Sequence, residues 1–257
     1  MSGVNSSRAA AAARLTSDEL SALESAGTFS NRPNFAALAE ILGLDAHKLE
    51  AIADGWSPTP KNISTWRHFR LFTSADDSLS VNCFLIWDAT TREAALFDTG
   101  FDEMTILATL AENKLTLRHI FITHSHYDHV DALPRIRRAI PDATIHSGSQ
   151  NAPAAQRNQP GQIIALGDLR ISHRLTPGHA DDGVTYVIGG WPDNAPDIAI
   201  VGDAIFAGSM GRGNDSWEVA RQKVRSEILT LPPATLICPG HGPLTTVAEE
   251  LAHNPFF

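Results

Sequence analysis

Residues 121–131 read Phe121-Ile-Thr-His-Ser-His-Tyr-Asp-His-Val-Asp131, placing His124, His126, Asp128 and His129 directly behind the apolar run 119–123. A helix turns once in about 3.6 residues and would scatter side chains at i, i+2, i+4 and i+5 around its axis. The cluster is therefore expected on a loop at a strand end, with all four groups aimed inward. Imidazole and carboxylate suit zinc, iron or manganese, and a site of nitrogen and oxygen donors leaves room for an activated water. That combination points to hydrolysis. Such a cluster can also be a solvated polar loop. Three further stretches weigh against that: Thr176-Pro-Gly-His179, Val201-Gly-Asp203 and Pro239-Gly-His241-Gly242 each set one ligand-type residue beside a glycine after an expected strand.

Taken together, these motifs resemble those of the metallo-β-lactamase superfamily, and within it the glyoxalase II-like hydrolases, over residues 65–257. The resemblance implies an α/β fold, the four-layer αββα sandwich, here with a small N-terminal helical extension. It implies that His124, His126 and His179 hold a first metal, that Asp128, His129 and His241 hold a second, and that Asp203 bridges both. The implied cofactors are two divalent metal ions, zinc by default and iron or manganese otherwise. Asp98-Thr-Gly100 ends an expected strand. In the resembling family this aspartate stands behind the metals and orients a ligand histidine, fixing its tautomer; a plain turn aspartate is the alternative. Gly208-Ser-Met-Gly-Arg212-Gly213 resembles a loop of the same family. Arg212 there either meets an anionic substrate or ties the loop to backbone carbonyls.

Two cations about 3.5–4 Å apart can hold a bridging hydroxide, polarise a carbonyl and stabilise the developing oxyanion. The expected reaction is attack of that hydroxide on a small thioester or another activated acyl group, with Asp128 as a catalytic residue that accepts or steers a proton. No Gly-x-Ser-x-Gly elbow occurs. Glyoxalase II enzymes proper carry a longer helical C-terminal region that supplies much of their glutathione site, whereas 16 residues follow His241 here. Lactones and other esters therefore stand as alternative substrates. An iron persulfide dioxygenase of this fold uses one iron held by two histidines and an aspartate, and has no use for His241 as a ligand. A metal-stabilised binding protein is a third reading, weakened by the complete ligand set.

The formal net charge of -9 over 257 residues argues against sequence-independent nucleic-acid binding, which needs a basic stripe. No stretch approaches the 18 apolar residues of a membrane span. A soluble, cytoplasmic enzyme with a small-molecule substrate is expected, with a homo-oligomer left open. Cys83 and Cys238 sit in apolar contexts and read as buried free thiols.

Residues 1–60 form the expected extension and 61–257 the expected catalytic domain, with Pro58 and Pro60 marking the boundary. Residues 1–14 read as poorly ordered or a frayed helix. Helices are expected over 17–26, from Phe35 to Gly43 and from about Asp45 to Gly55. The last pair has a helix-turn-helix flavour, but Lys48 is the only Lys or Arg of its second helix, so packing, a pocket wall or a dimer contact is the better reading. Strands are expected over 69–72, 80–87, 94–98, 143–146, 163–176, 184–188, 198–201 and 235–238. Helices are expected over 102–113, 130–140 and 217–229. The stretch 147–161 reads as a mobile rim, and His146 and His173 as structural or exposed.

Overall fold

A computed structural model describes residues 4–257. Two sheets face each other. The first has the order β1-β2-β3-β4-β5, from β1 (Phe69–Ala75), β2 (Ser80–Trp87), β3 (Glu93–Phe97), β4 (Thr116–Ile122) and β5 (Thr144–Ser147). The second runs β13-β12-β9-β8-β7-β6, from β6 (Ile164–Leu166), β7 (Leu169–Leu175), β8 (Val184–Gly189), β9 (Ile198–Gly202), β12 (Leu236–Pro239) and β13 (Thr245–Thr246). A separate hairpin pairs β10 (Ile205–Phe206) with β11 (Ser209–Met210).

The unbroken apolar run of β2 follows from burial on both faces. Phe84 and Ile86 point between the sheets and meet Phe97, Phe121, Tyr186 and Ile200. Cys83 and Leu85 point outward into a second core with Ile106 and Leu110 of α5 (Glu103–Glu112) and Ile136 of α7 (Leu133–Ala139). The other sheet's outer face, with Ala199, Val201 and Ile237, packs on Val224, Ile228 and Val247. Those residues belong to a π-helical segment Val224–Ile228, which continues α8 (Trp217–Lys223), and to α9 (Val247–His253). Helix, sheet, sheet, helix is the expected four-layer order.

Residues 4–56 add α1 (Ser6–Ala13), α2 (Ser17–Ala26), α3 (Phe35–Leu42) and α4 (Ala46–Ala53). The N-terminus corrects the expectation of a frayed segment. Asn5 caps α1, and Ala9, Ala10 and Ala13 are buried against Leu20 and Leu38. Residues 1–3 lie outside the described residues. Lys48 is not a groove-facing cation: its ammonium donates to the carbonyls of Leu251 (2.8 Å) and Phe257 (2.7 Å). Trp56 stacks on His253 at 4.7 Å between ring centroids, so α4 packs on the end of the main body.

Two other boundaries differ from expectation. The helix expected over 130–140 forms only as α7, and Val130 instead ends a separate turn, α6 (Tyr127–Val130). The His129 carbonyl is taken by the Thr99 N–H (2.9 Å) and hydroxyl (3.0 Å), and Pro134 has no N–H to offer Val130. The strand expected over 163–176 is two, because Gly167, at φ +59°, turns the chain where a Cβ would lie 2.1 Å from the Asp88 carboxylate.

Candidate metal centre

Within each sheet, the strands that precede a ligand-type residue run in the same direction. β3 and β4 are parallel, β9 and β12 are parallel, and β7 reaches β9 through two antiparallel pairings. Asp98, His124, His179, Asp203 and His241 thus leave their strands at one edge of the sandwich. The loop reading of residues 124–129 is corrected in part. His124 and His126 lie on the loop, but Asp128 and His129 sit on α6, the helical turn that His126 caps. Loop and turn together aim all four groups the same way.

The structure brings all seven candidate ligands together. His126 Nδ1 lies 3.0 Å from His124 Nε2 and 3.1 Å from His179 Nε2. Asp203 lies 3.3 Å from His129 Nε2, 3.4 Å from His179 Nε2 and 3.3 Å from His241 Nε2. Asp128 Oδ2 lies 3.2 Å from His241 Nε2 and 3.5 Å from His129 Nε2. Donors bound about 2.0–2.2 Å from one ion, at tetrahedral to octahedral angles, stand about 3–3.5 Å apart, which is the spacing seen here. Three groups could each hold an ion: His124–His126–His179, His124–His129–Asp203 and Asp128–His129–His241.

Ring tautomers follow from what each outward nitrogen touches. His129 Nδ1 faces Asp98 Oδ2 at 2.8 Å, His179 Nδ1 the Arg212 carbonyl at 3.0 Å, and His241 Nδ1 the Ser80 carbonyl at 2.5 Å. A carbonyl or carboxylate can only accept, so each ring carries a proton on Nδ1 and turns Nε2 inward, the nitrogen left for a metal. For His124, the Thr123 hydroxyl donates to Asp98 (2.7 Å) and is left to accept from Nδ1 (3.2 Å). Asp98 sits at φ +54°, a region that aspartate tolerates better than most side chains. It also accepts from the Thr123 N–H at 2.8 Å.

The inward ring nitrogens and two carboxylates crowd one buried space. His129 Nε2 and Asp203 Oδ1 are buried without a hydrogen-bond partner, a cost of about 1–3 kcal/mol each unless a cation fills the space. Protonation patterns say the same. Burial pulls the His124 pKa down to about 2, keeping it in the neutral form that binds metal. Burial would do the same to His129, but the Asp98 and Asp203 carboxylates carry it up to about 10. Hydrogen bonds to Asp128 and Asp203 push His241 up to about 10. Asp203 is held well below the usual carboxylate range: burial opposes this, and the His129 and His241 rings facing it at 3.3 Å outweigh it. The pocket calls for positive charge, and the donors fit a divalent cation in place of those protons.

Gly240 makes the convergence sterically feasible. A Cβ there would stand 2.3 Å from Asp203 Oδ1 and 2.5 Å from His129 Cε1. Arg212 is exposed, and among the described residues its guanidinium has no hydrogen-bond partner; its carbonyl, not its side chain, reaches the centre. His146 is kept apart, hydrogen-bonded to His119 at 3.0 Å and stacked on Phe121 at 4.5 Å. His173 pairs in register with Tyr186 on β7 and joins none of the three metal-type groups. Both cysteines are buried free thiols. The carbonyls of Ser80 and Arg212 escape a sequence reading, because any residue can supply them.

A buried His/Asp cluster at one edge of an αββα sandwich defines a metal-binding protein of the hydrolase kind, and the chain belongs to the metallo-beta-lactamase superfamily, whose model matches residues 76–241. It is similar to the probable metallo-hydrolase YqgX of Bacillus subtilis, 31% identical over 67% of this chain and 90% of that one. It is also similar to the hydroxyacylglutathione hydrolase GloC of Haemophilus influenzae, 26% identical over 68% of this chain and 92% of that one. Among solved structures, ETHE1 from Myxococcus xanthus superposes with a TM-score of 0.63 at 32% identity, covering 72% of this chain and 83% of that one. Among the described residues no helix is long and apolar enough to cross a membrane.

Proposed function

We propose that this chain is a binuclear metal-dependent hydrolase acting on a small thioester or related activated ester. His124, His126 and His179 would hold one ion, Asp128, His129 and His241 the other, and Asp203 both. Two ions bound there supply Lewis acidity and a water acidified toward neutrality, zinc being the default and iron or manganese the alternatives. The observation that carries this reading is that His124, His129, His179 and His241 all turn Nε2 into one space, each with Nδ1 engaged outside the centre.

The chain's own groups do the rest. Asp98 holds the proton on His129 Nδ1 and keeps that ring a strong donor. Asp128 is ionised: burial opposes this, but the bond from His241 lowers its pKa, leaving a carboxylate able to take up or steer a proton. Arg212 reaches an anionic group of the substrate from the rim. Similarity to a hydroxyacylglutathione hydrolase supports the thioester class. We take residues 61–257 as the catalytic domain and 1–60 as a helical extension of a cytoplasmic enzyme. The experiment is turnover of a panel of small thioesters, lactones and persulfides by metal-loaded protein. Thioester or ester hydrolysis lost on Asp203→Ala is expected; oxygen-consuming turnover of persulfides with no hydrolysis would overturn the reading.

A further inference from the structure

Asn82 interrupts the apolar run of β2 at a position whose neighbours on the same face, Phe84 and Ile86, fill the core between the sheets. It is 4% exposed. A buried amide is tolerated only when its hydrogen-bonding groups are used, and here they are used on one target. The Asn82 backbone N–H donates to the Gly240 carbonyl at 2.7 Å. Its Nδ2 donates to the carbonyls of Pro239 at 3.1 Å and Gly242 at 2.9 Å. Its Oδ1 accepts from the Thr73 hydroxyl at 2.8 Å. That hydroxyl on one side and two carbonyls on the other fix the orientation of the amide, since the flipped form would set its oxygen against two acceptors.

The three carbonyls belong to residues 239, 240 and 242, the backbone on both sides of His241. β2 lies in one sheet and β12, which delivers His241, in the other. Asn82 is thus a tie across the sandwich that clamps the turn carrying His241. Ser80, two residues earlier on the same strand, holds the ring's Nδ1 proton. The clamp touches none of His124, His126 or His179.

We propose that Asn82 is a positioning residue for His241 and sets the affinity of the Asp128–His129–His241 side of the centre independently of the three-histidine side. This rests on the two-ion reading above. The test is stepwise zinc titration of metal-free protein against a chromophoric chelator, for wild type, Asn82→Ala, Asn82→Asp, His241→Ala and the Asn82→Ala/His241→Ala double variant. Wild type is expected to take up two ions. Both Asn82 variants are expected to weaken, about 10–100-fold, the same equivalent that His241→Ala loses and to leave the other unchanged, as loss of a group that orients a ligand does. The double variant should bind no more weakly than His241→Ala alone. A purely structural role would weaken both equivalents together, or add to the His241→Ala loss, and either result overturns the proposal. If Asn82→Ala fails to fold, Thr73→Val decides the matter: a smaller weakening of the same single equivalent is expected, and unchanged binding refutes the clamp. A wild type that binds one ion sinks the two-ion reading and this proposal with it; a two-ion wild type with unaffected variants sinks this proposal alone.

Discussion

The Asp98 carboxylate and the His129 ring share a 2.8 Å hydrogen bond with both side chains out of solvent, 2% and 0% exposed. Such a pair fixes one tautomer and raises the donor strength of the inward nitrogen.

Asp98→Asn keeps the size and removes the charge. Zinc affinity at the ion held by His129 is expected to fall about 10–100-fold, measured by competition with a chelator. Asp98→Ala also breaks the bonds to Thr123 and is expected to lower the stability of the metal-free chain by about 3–5 kcal/mol, as removal of one partner of a buried pair does. Unchanged affinity in both variants would make Asp98 an ordinary turn residue.

Gly240→Ala introduces a Cβ into the space of Asp203 and His129. One methyl group there should misplace both groups while leaving the cores alone. A fall in kcat of about 100-fold with a far-ultraviolet spectrum like that of wild type is the expected outcome. Full activity would mean that the turn relaxes freely.

Arg212 reaches the centre through its carbonyl, so Arg212→Ala should leave the metal content intact. Loss of the guanidinium is expected to raise KM for anionic substrates about tenfold with a smaller change for neutral ones, the signature of a contact made equally in ground and transition states. Loss of metal instead would show that the side chain holds the loop.

His146, hydrogen-bonded to His119 and part of none of the three metal-type groups, serves as a pH probe of the fold. Burial, then the neighbouring His119 and His173, lowers its pKa from the ordinary 6.5 to about 4. The unfolded chain therefore binds this proton between pH 6.5 and 4 while the folded chain does not. Its contribution is fully present above pH 6.5 and lost as pH falls toward 4. Urea unfolding of His146→Phe should lose less stability across that window than wild type. Parallel losses would assign the acid sensitivity to other groups.

Much of this was legible in the chain. β2 spans 80–87 as its apolar run predicts, because both faces are buried, and the glycine-flanked histidines and aspartates do meet at one edge. What was not legible depends on backbone groups and distant contacts. The break between α6 and α7 needs Thr99 to capture the His129 carbonyl, and the split of β6 from β7 needs Asp88 beneath Gly167. The hairpin of β10 and β11, with two residues in each strand, carries no periodicity to read. His241's tautomer hangs on the carbonyl of Ser80, which no residue type announces.

The central claim is that seven side chains hold two ions. Elemental analysis of gently purified protein, reported as metal per chain and taken with turnover of thioesters, lactones and persulfides, tests it most directly. Two equivalents with hydrolysis is the expected result. A single iron per chain with oxygen consumption and no hydrolysis would contradict it.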